Sequence, residues 1–96
     1  MGIVNRNATA KKEVEIVNRL GLHARPCSKF VKLASTFKAE IWVSKDDESV
    51  NGKSIMGLMM LAAGPGSKLH ISARGQDATR ALVELEELMQ RKFDEE

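Results

Sequence analysis

The stretch GLHARPCSKF, residues 21–30, places a histidine and an arginine where an apolar helical pattern begins. A helix N-terminus offers backbone N–H groups without intrahelical partners and the positive end of the helix dipole, so it attracts anions. An imidazole is a nucleophile, and once phosphorylated it would hold its negative charge against those donors. Arg25 adds a charged fork that suits phosphate oxygens. His23 and Arg25 therefore indicate phosphoryl chemistry. The alternative is a polar helix start with a solvated arginine.

A second stretch, SIMGLMM at residues 54–60, predicts a short helix with Ser54 as its N-cap. Its residues Ile55, Met56, Met59 and Met60 are apolar over more than one face of so short a helix. They could be core filler, but we expect some to stay exposed, because flexible thioethers suit a surface that accepts several partners.

The elements that must position these residues follow from periodicity. EVEIVN, residues 13–18, alternates as a half-buried strand, and the apolar spacing from Pro26 predicts a helix that ends between Thr36 and Lys38. Further strands are predicted at residues 39–44, 49–52 and 68–75, with the short helix stopping at Gly64 and a long helix capped by Asp77. The apolar stripe of that last helix consists of Ala78, Ala81, Leu82, Leu85, Leu88 and Met89.

The predicted fold class is α+β, with the element order β-α-β-β-α-β-α. Each strand has one apolar face, so we expect a two-layer open-faced sandwich in which three helices cover one side of a four-stranded antiparallel sheet. Trp42 and His70 are predicted on the open face, where His70 is read as a solvated residue. The charges of the C-terminal LEELMQRKFDEE are expected to be a solvated helix face and a frayed end.

A chain of 96 residues with 43% hydrophobic content suits one domain. Residues 1–12 lack apolar periodicity and are expected to be a flexible extension, with the domain at 13–96. A net charge of +2 and 4% aromatic residues argue against a nucleic-acid platform. No membrane span or signal peptide is predicted, and the single Cys27, expected to be a packing residue, suits a reducing compartment, so we expect a cytoplasmic protein.

GLHARP together with GKSIMGLMML resembles the HPr family, the histidine-containing phosphocarriers of the bacterial phosphotransferase system, from about Val14 to Met89. The resemblance implies that His23 accepts phosphate on Nδ1 from enzyme I and passes it to IIA-type acceptors, with Arg25 steadying the phosphate. It implies that Ser54 is a regulatory phosphorylation site for an HPr kinase/phosphorylase. Without the resemblance, the helix-capping role is enough to explain a serine at this position. The implied partner-binding residues are Leu20, Ala24, Ser28, Lys32, Ile55, Met56 and Met59.

The resemblance further implies a monomeric stoichiometric carrier rather than an enzyme, without cofactor or metal, whose partners could include a transcriptional regulator. RLGLHARP is closer to the nitrogen-related branch, often called NPr, whereas GKSIMG resembles the kinase-regulated sugar branch. Leu20 stands where many sugar-branch members carry Ser or Asn. The alternatives are an NPr-type carrier and an interaction module that carries no phosphate. An acylphosphatase-like hydrolase lacks support, because the chain has no glycine-rich phosphate loop.

Overall fold

The computed structural model describes residues 8–95 of the chain. In this range the elements are β1 (Thr9–Glu15), α1 (Ala24–Ala34), β2 (Glu40–Lys45), β3 (Glu48–Asn51), α2 (Ile55–Met60), β4 (Lys68–Arg74), α3 (Ala78–Gln90) and a closing 3-10 turn (Lys92–Asp94). The predicted order and fold class are confirmed. No helix within residues 8–95 has the length and apolar content needed to cross a membrane.

The four strands form one antiparallel sheet in the order β1-β4-β2-β3. Because side chains alternate along a strand, Val14, Leu69 and Val43 share the face that the helices cover. Cys27, Phe30 and Ala34 of α1 are buried, and so is the whole predicted apolar stripe of α3. The helices therefore lie on one side of the sheet, and they leave its other face to solvent.

The first strand begins at Thr9, before the predicted domain start at Glu13, so residues 9–12 belong to the sheet rather than to an extension. The sequence pattern did not predict that the strand includes residues 9–12, because Lys12 is charged and yet stands at a position that faces the helices. The Lys12 ammonium group lies 3.1 Å from the Glu86 carboxylate of α3. A lysine is tolerated on the helix-facing side of the strand because its charge is paired there. The rest of the predicted extension, residues 1–7, lies outside the described residues.

The short helix α2 ends at Met60, and not at Gly64 as predicted. Leu61 and Ala63 are both buried, at 3% exposure each, so the chain must leave the helix to bring both side chains into the core. Ala62 between them takes a φ of 49°, and this left-handed residue ends the helix.

Asp77 occupies the N-cap position of α3, but its side chain does not cap the helix. Its carboxylate instead accepts hydrogen bonds from the backbone N–H groups of Lys38 and Ala39, each at 2.9 Å. The predicted cap is wrong because Asp77 has a ψ of 24° rather than the extended backbone of a capping residue. These two donors lower the pKa of Asp77 below its ordinary value, the bond from Lys38 having the larger effect.

Trp42 and His70 lie on the open face, as predicted, with Trp42 exposed to 42%. The His70 Nε2 atom lies 3.5 Å from the Glu13 carboxylate on the neighbouring strand.

Candidate functional site

His23 is the N-cap residue of α1, and the sequence places it at the start of this helix. Its carbonyl accepts the first intrahelical hydrogen bond, from the Cys27 N–H at 3.1 Å. The N–H groups of Ala24 and Arg25 precede that bond and have no partner within the helix. Its side chain makes no capping bond, so the imidazole is not tied to the helix end. The position combines a half-exposed ring with two backbone donors and the helix dipole.

Gly21 sets the direction in which the chain reaches His23. Its φ is 69°, and a Cβ atom there would lie 2.5 Å from the carbonyl oxygen of Ala63. The next residue, Leu22, donates its N–H to that same oxygen at 2.8 Å. The loop before His23 is therefore packed against the segment that follows α2, and only glycine allows the approach.

A cleft of about 500 Å³ opens beside the imidazole. Its lining residues are Asn18, Arg19, Leu20, His23, Ala24, Arg25 and Glu95. The structure thus brings together four of the residues chosen from sequence, namely Leu20, His23, Ala24 and Arg25. The Arg25 side chain is 75% exposed, so its guanidinium is available to an anion entering from solvent.

The sequence did not predict the acidic member of this cleft, Glu95. The expected frayed end is wrong for this part of the tail, because Phe93 is fully buried and fixes the closing turn against the domain. The Lys29 ammonium contacts the Glu95 carboxylate and donates to the Phe93 carbonyl at 3.0 Å. The bond from Lys29 lowers the pKa of Glu95, and the nearby charges of Lys29, Arg25 and His23 add to the effect. The only hint in the sequence was Phe93, an aromatic residue in an otherwise polar and charged segment, which favours an ordered contact with the domain.

Asn18 and Arg19 also line the cleft and were not chosen from the sequence. Asn18 is the buried one of the two. It is 1% exposed, and its Nδ2 group donates to the Gly21 carbonyl at 2.9 Å. Its Oδ1 atom is buried and has no hydrogen-bond partner in the part of the chain that the structure describes. An asparagine at an inward position of the EVEIVN alternation was the signal, since apolar residues fill such positions elsewhere in the sheet.

Ser54 caps α2 as predicted, because its Oγ accepts a hydrogen bond from the Gly57 N–H at 3.0 Å. The next turns of the helix expose apolar side chains, with Met56 at 76% and Met60 at 67% exposure, and Ile55 and Met59 are also exposed. Helices α1 and α2 pack together, yet no residue of α2 is among the described residues that line the His23 cleft. The apolar helix therefore flanks the cleft rather than forming its wall.

Two α1 residues chosen from sequence, Ser28 and Lys32, are exposed. Lys32 lines a separate shallow groove between α1 and α3, together with Leu88 and Arg91. Cys27 is fully buried, and its desolvation raises the pKa of the thiol to about 11. A thiol held protonated inside the core acts as an apolar packing group.

Comparison with known proteins identifies the family. A family model described as the PTS HPr component phosphorylation site matches residues 10–91. The phosphocarrier protein HPr of Neisseria meningitidis serogroup A is 51% identical over 85 residues, which are 88% of this chain and 96% of that protein. The phosphocarrier protein NPr of Shewanella violacea is 41% identical, with 88% of this chain and 93% of that protein covered.

Among solved structures, HPr-C-His from Thermoanaerobacter tengcongensis matches with a TM-score of 0.87 and 46% identity, covering 91% of this chain and 98% of that one. The region that the family model matches contains β1 from residue 10 onward, the other three strands, α1 to α3 and the His23 loop. The chain belongs to the HPr family, the phosphocarrier proteins of the bacterial phosphotransferase system.

Proposed function

We propose that His23 is the phosphoryl carrier of this protein, accepting the group on Nδ1 from phosphorylated enzyme I and passing it to a IIA-type acceptor. The observation that carries this proposal is the placement of His23 and Arg25 in one cleft at the N-terminus of α1. The Nδ1 lone pair forms the bond to phosphorus while the bond from phosphorus to the donor breaks and its electron pair leaves with the donor. Transfer to the acceptor reverses these roles.

The protein's contribution to this step is position and charge. The phosphoryl oxygens would face the N–H groups of Ala24 and Arg25, which have no intrahelical partners, and the guanidinium of Arg25. Phosphoryl transfer needs little covalent help beyond such stabilisation. The protein is then consumed and regenerated once per transfer, which is the behaviour of a carrier and not of a catalyst.

We propose that partners bind at a docking patch beside the cleft. It consists of Leu20, Ala24, Ser28, Lys32, Ile55, Met56 and Met59. The exposure of Leu20 at 68% and of Met56 at 76% supports this, because large apolar side chains on a surface are stabilised by contact with a partner. Enzyme I and the IIA-type acceptors would use the same patch in turn.

Ser54 is proposed as a regulatory site in addition to its capping role. An HPr kinase/phosphorylase would phosphorylate Ser54, and a transcriptional regulator is a further candidate partner of the modified protein. A phosphate there would lie at the edge of the docking patch, next to Ile55 and Met56. We further propose that the protein is a cytoplasmic monomer.

The test of the proposed function is phosphoenolpyruvate-dependent labelling with enzyme I from the same organism. Wild type and His70→Ala should acquire acid-labile phosphate, and His23→Ala should acquire none. Acid-labile label on His23→Ala would contradict the assignment and would leave His70 as the acceptor.

A second candidate, an NPr-type carrier serving nitrogen regulation, is favoured by the stretch RLGLHARP and by the similarity to the Shewanella violacea protein. Rates of transfer from each enzyme I of the organism, and to each IIA-type acceptor, would separate the two branches. An interaction module without phosphate transfer would show no labelling at all.

A further inference from the structure

Asn18 is a buried polar residue in the loop that connects β1 to His23. Its exposure is 1%, and it belongs to the wall of the His23 cleft. Between residues 18 and 25 it is the only residue with an amide side chain. Burial of an amide costs free energy unless its donors and acceptors are paired, so its presence at this position requires an explanation.

The hydrogen bonds of Asn18 converge on one residue of the loop, Gly21. Its carbonyl accepts the Gly21 N–H at 3.2 Å, and its Nδ2 group donates to the Gly21 carbonyl at 2.9 Å. That carbonyl also accepts the His23 N–H at 3.1 Å. Asn18 thus closes the turn at residues 18–21 and is connected to the backbone of His23 through a single shared acceptor.

Stability does not explain this amide. Its Oδ1 atom is buried and has no hydrogen-bond partner within residues 8–95, and an unpaired buried acceptor is unfavourable to folding. A leucine has the same branching and would fill the same space without an unpaired polar atom. The Gly21 carbonyl would still accept the His23 N–H. Leucine would remove this cost and with it only the bond from Nδ2 to the Gly21 carbonyl, so what the amide adds to the fold is the restraint on this turn.

We infer that Asn18 is a positioning residue for phosphoryl transfer at His23, holding the turn before it so that the imidazole and the N–H groups of Ala24 and Arg25 face the cleft together. The inference rests on the proposed function. The loop is fixed on its other side by the bond from the Leu22 N–H to the Ala63 carbonyl at 2.8 Å. With one of these two restraints removed, the ring would sample orientations in which its nucleophilic nitrogen is out of line with the phosphoryl donor.

The test compares wild type, Asn18→Leu and Ile71→Val in transfer from phosphorylated enzyme I over a range of carrier concentrations. Ile71 is a buried β4 residue outside the cleft, so its variant shows what a modest loss of stability does to transfer. For Asn18→Leu we expect a maximal rate at least about 10-fold lower, because small misplacements of reacting groups are costly. The half-saturating carrier concentration should stay within about twofold of wild type, since no residue of the docking patch is substituted. Ile71→Val should transfer at the wild-type rate.

The same experiment separates this inference from the proposed function. Absence of label on wild-type His23 would contradict the proposed function. Normal labelling of wild type with an equal maximal rate in Asn18→Leu would overturn only the role of Asn18, and so would a rise in the half-saturating concentration without a fall in the maximal rate.

A measurement on the wild-type protein does not depend on the folding of any variant. The side-chain amide protons of Asn18 should exchange with solvent at least about 10-fold more slowly than those of the exposed Asn51, and their NMR signals should shift when His23 is phosphorylated. Exchange as fast as that of Asn51, or signals unchanged by phosphorylation, would overturn the inference.

Discussion

The Glu95 carboxylate lies 3.6 Å from the Arg25 guanidinium, within the cleft that also contains His23. Lys29 holds this carboxylate from its other side, and the bond lowers the pKa of Glu95, so it is charged at neutral pH. An anion therefore already occupies the neighbourhood of the arginine proposed to steady the phosphate. A phosphoryl group on His23 would compete with Glu95 for Arg25.

Removing the charge of Glu95 should favour the phosphorylated carrier. In Glu95→Gln, the repulsion between carboxylate and phosphate is lost and Arg25 is released. We expect the equilibrium between phosphorylated enzyme I and phosphorylated carrier to shift toward the carrier by about two- to fivefold, the range of an exposed ion pair. Quantifying labelled carrier at equilibrium measures this shift. The control is Glu87→Gln, at an exposed position outside the cleft, which should leave the equilibrium unchanged. A smaller labelled fraction in Glu95→Gln than in wild type would contradict the competition between Glu95 and the phosphoryl group.

Gly21 should tolerate alanine less well than the other glycine chosen for comparison, Gly66. Both have positive φ, 69° and 86°. An added Cβ at Gly21 would meet Ala63 and Gly64, whereas at Gly66 no atom of residues 8–95 lies within 4 Å of it. Both substitutions carry backbone strain, and Gly21→Ala should cost about 1–3 kcal/mol more because its neighbours are backbone atoms. Urea denaturation of the two variants measures the difference. Equal stabilities would show that the loop can move away from Ala63.

The parts of the fold that follow from side-chain periodicity were predictable. The α3 stripe from Ala78 to Met89 and the outward placement of Trp42 depend only on the 3.6- and 2-residue periods. The cap at Ser54 was equally local, because the bond it makes spans three residues. The placement of His23 and Arg25 at the start of α1 was local in the same way, whereas their proposed roles came from the resemblance to the HPr family.

The features that could not be predicted from the sequence depend on contacts between segments that are distant in the chain. Asp77 resembles a helix cap, yet its carboxylate binds the N–H groups of Lys38 and Ala39 across the fold. Glu95 reaches the cleft only because Phe93 is buried and Lys29 holds the end of the chain. These pairs are far apart in sequence, and no periodic pattern connects them.

Asp77 should make stability depend on pH in the acid range. Its pKa is lowered in the folded state, so its contribution is present above the unfolded pKa and is lost as the pH falls through the folded pKa. Asp77→Ala should lose about 1–2 kcal/mol at pH 7, allowing for partial exposure of the carboxylate. Denaturation at a series of pH values should show the wild type and the variant converging below about pH 4. A difference that stays constant down to the acid limit would exclude a charged interaction.

Met56 should matter for partners and not for folding. It is 76% exposed, so Met56→Ser should leave the unfolding temperature nearly unchanged, and Val83→Ser provides a matched change at an exposed apolar residue of α3. We expect Met56→Ser to raise the half-saturating carrier concentration with enzyme I by at least about fivefold, as for a central interface residue. Val83→Ser should behave as wild type. Equal values for the two variants would place the docking patch elsewhere.

Ser54 combines a folding role and a proposed regulatory role, and two substitutions separate them. Ser54→Ala removes the acceptor for the Gly57 N–H and should cost about 1 kcal/mol, while Ser54→Asp keeps a good capping oxygen and should cost little.

Binding of partners should be affected by Ser54→Asp and not by Ser54→Ala, the reverse of their expected effects on stability. The aspartate adds a negative charge beside Ile55 and Met56, which must be desolvated when a partner binds, whereas the alanine adds none. We expect slower labelling of His23 by enzyme I in Ser54→Asp and nearly normal labelling in Ser54→Ala, at saturating phosphoenolpyruvate and limiting carrier. Thermal unfolding of both variants gives the stability comparison. Equal labelling rates for wild type and both variants would leave Ser54 with the helix cap alone.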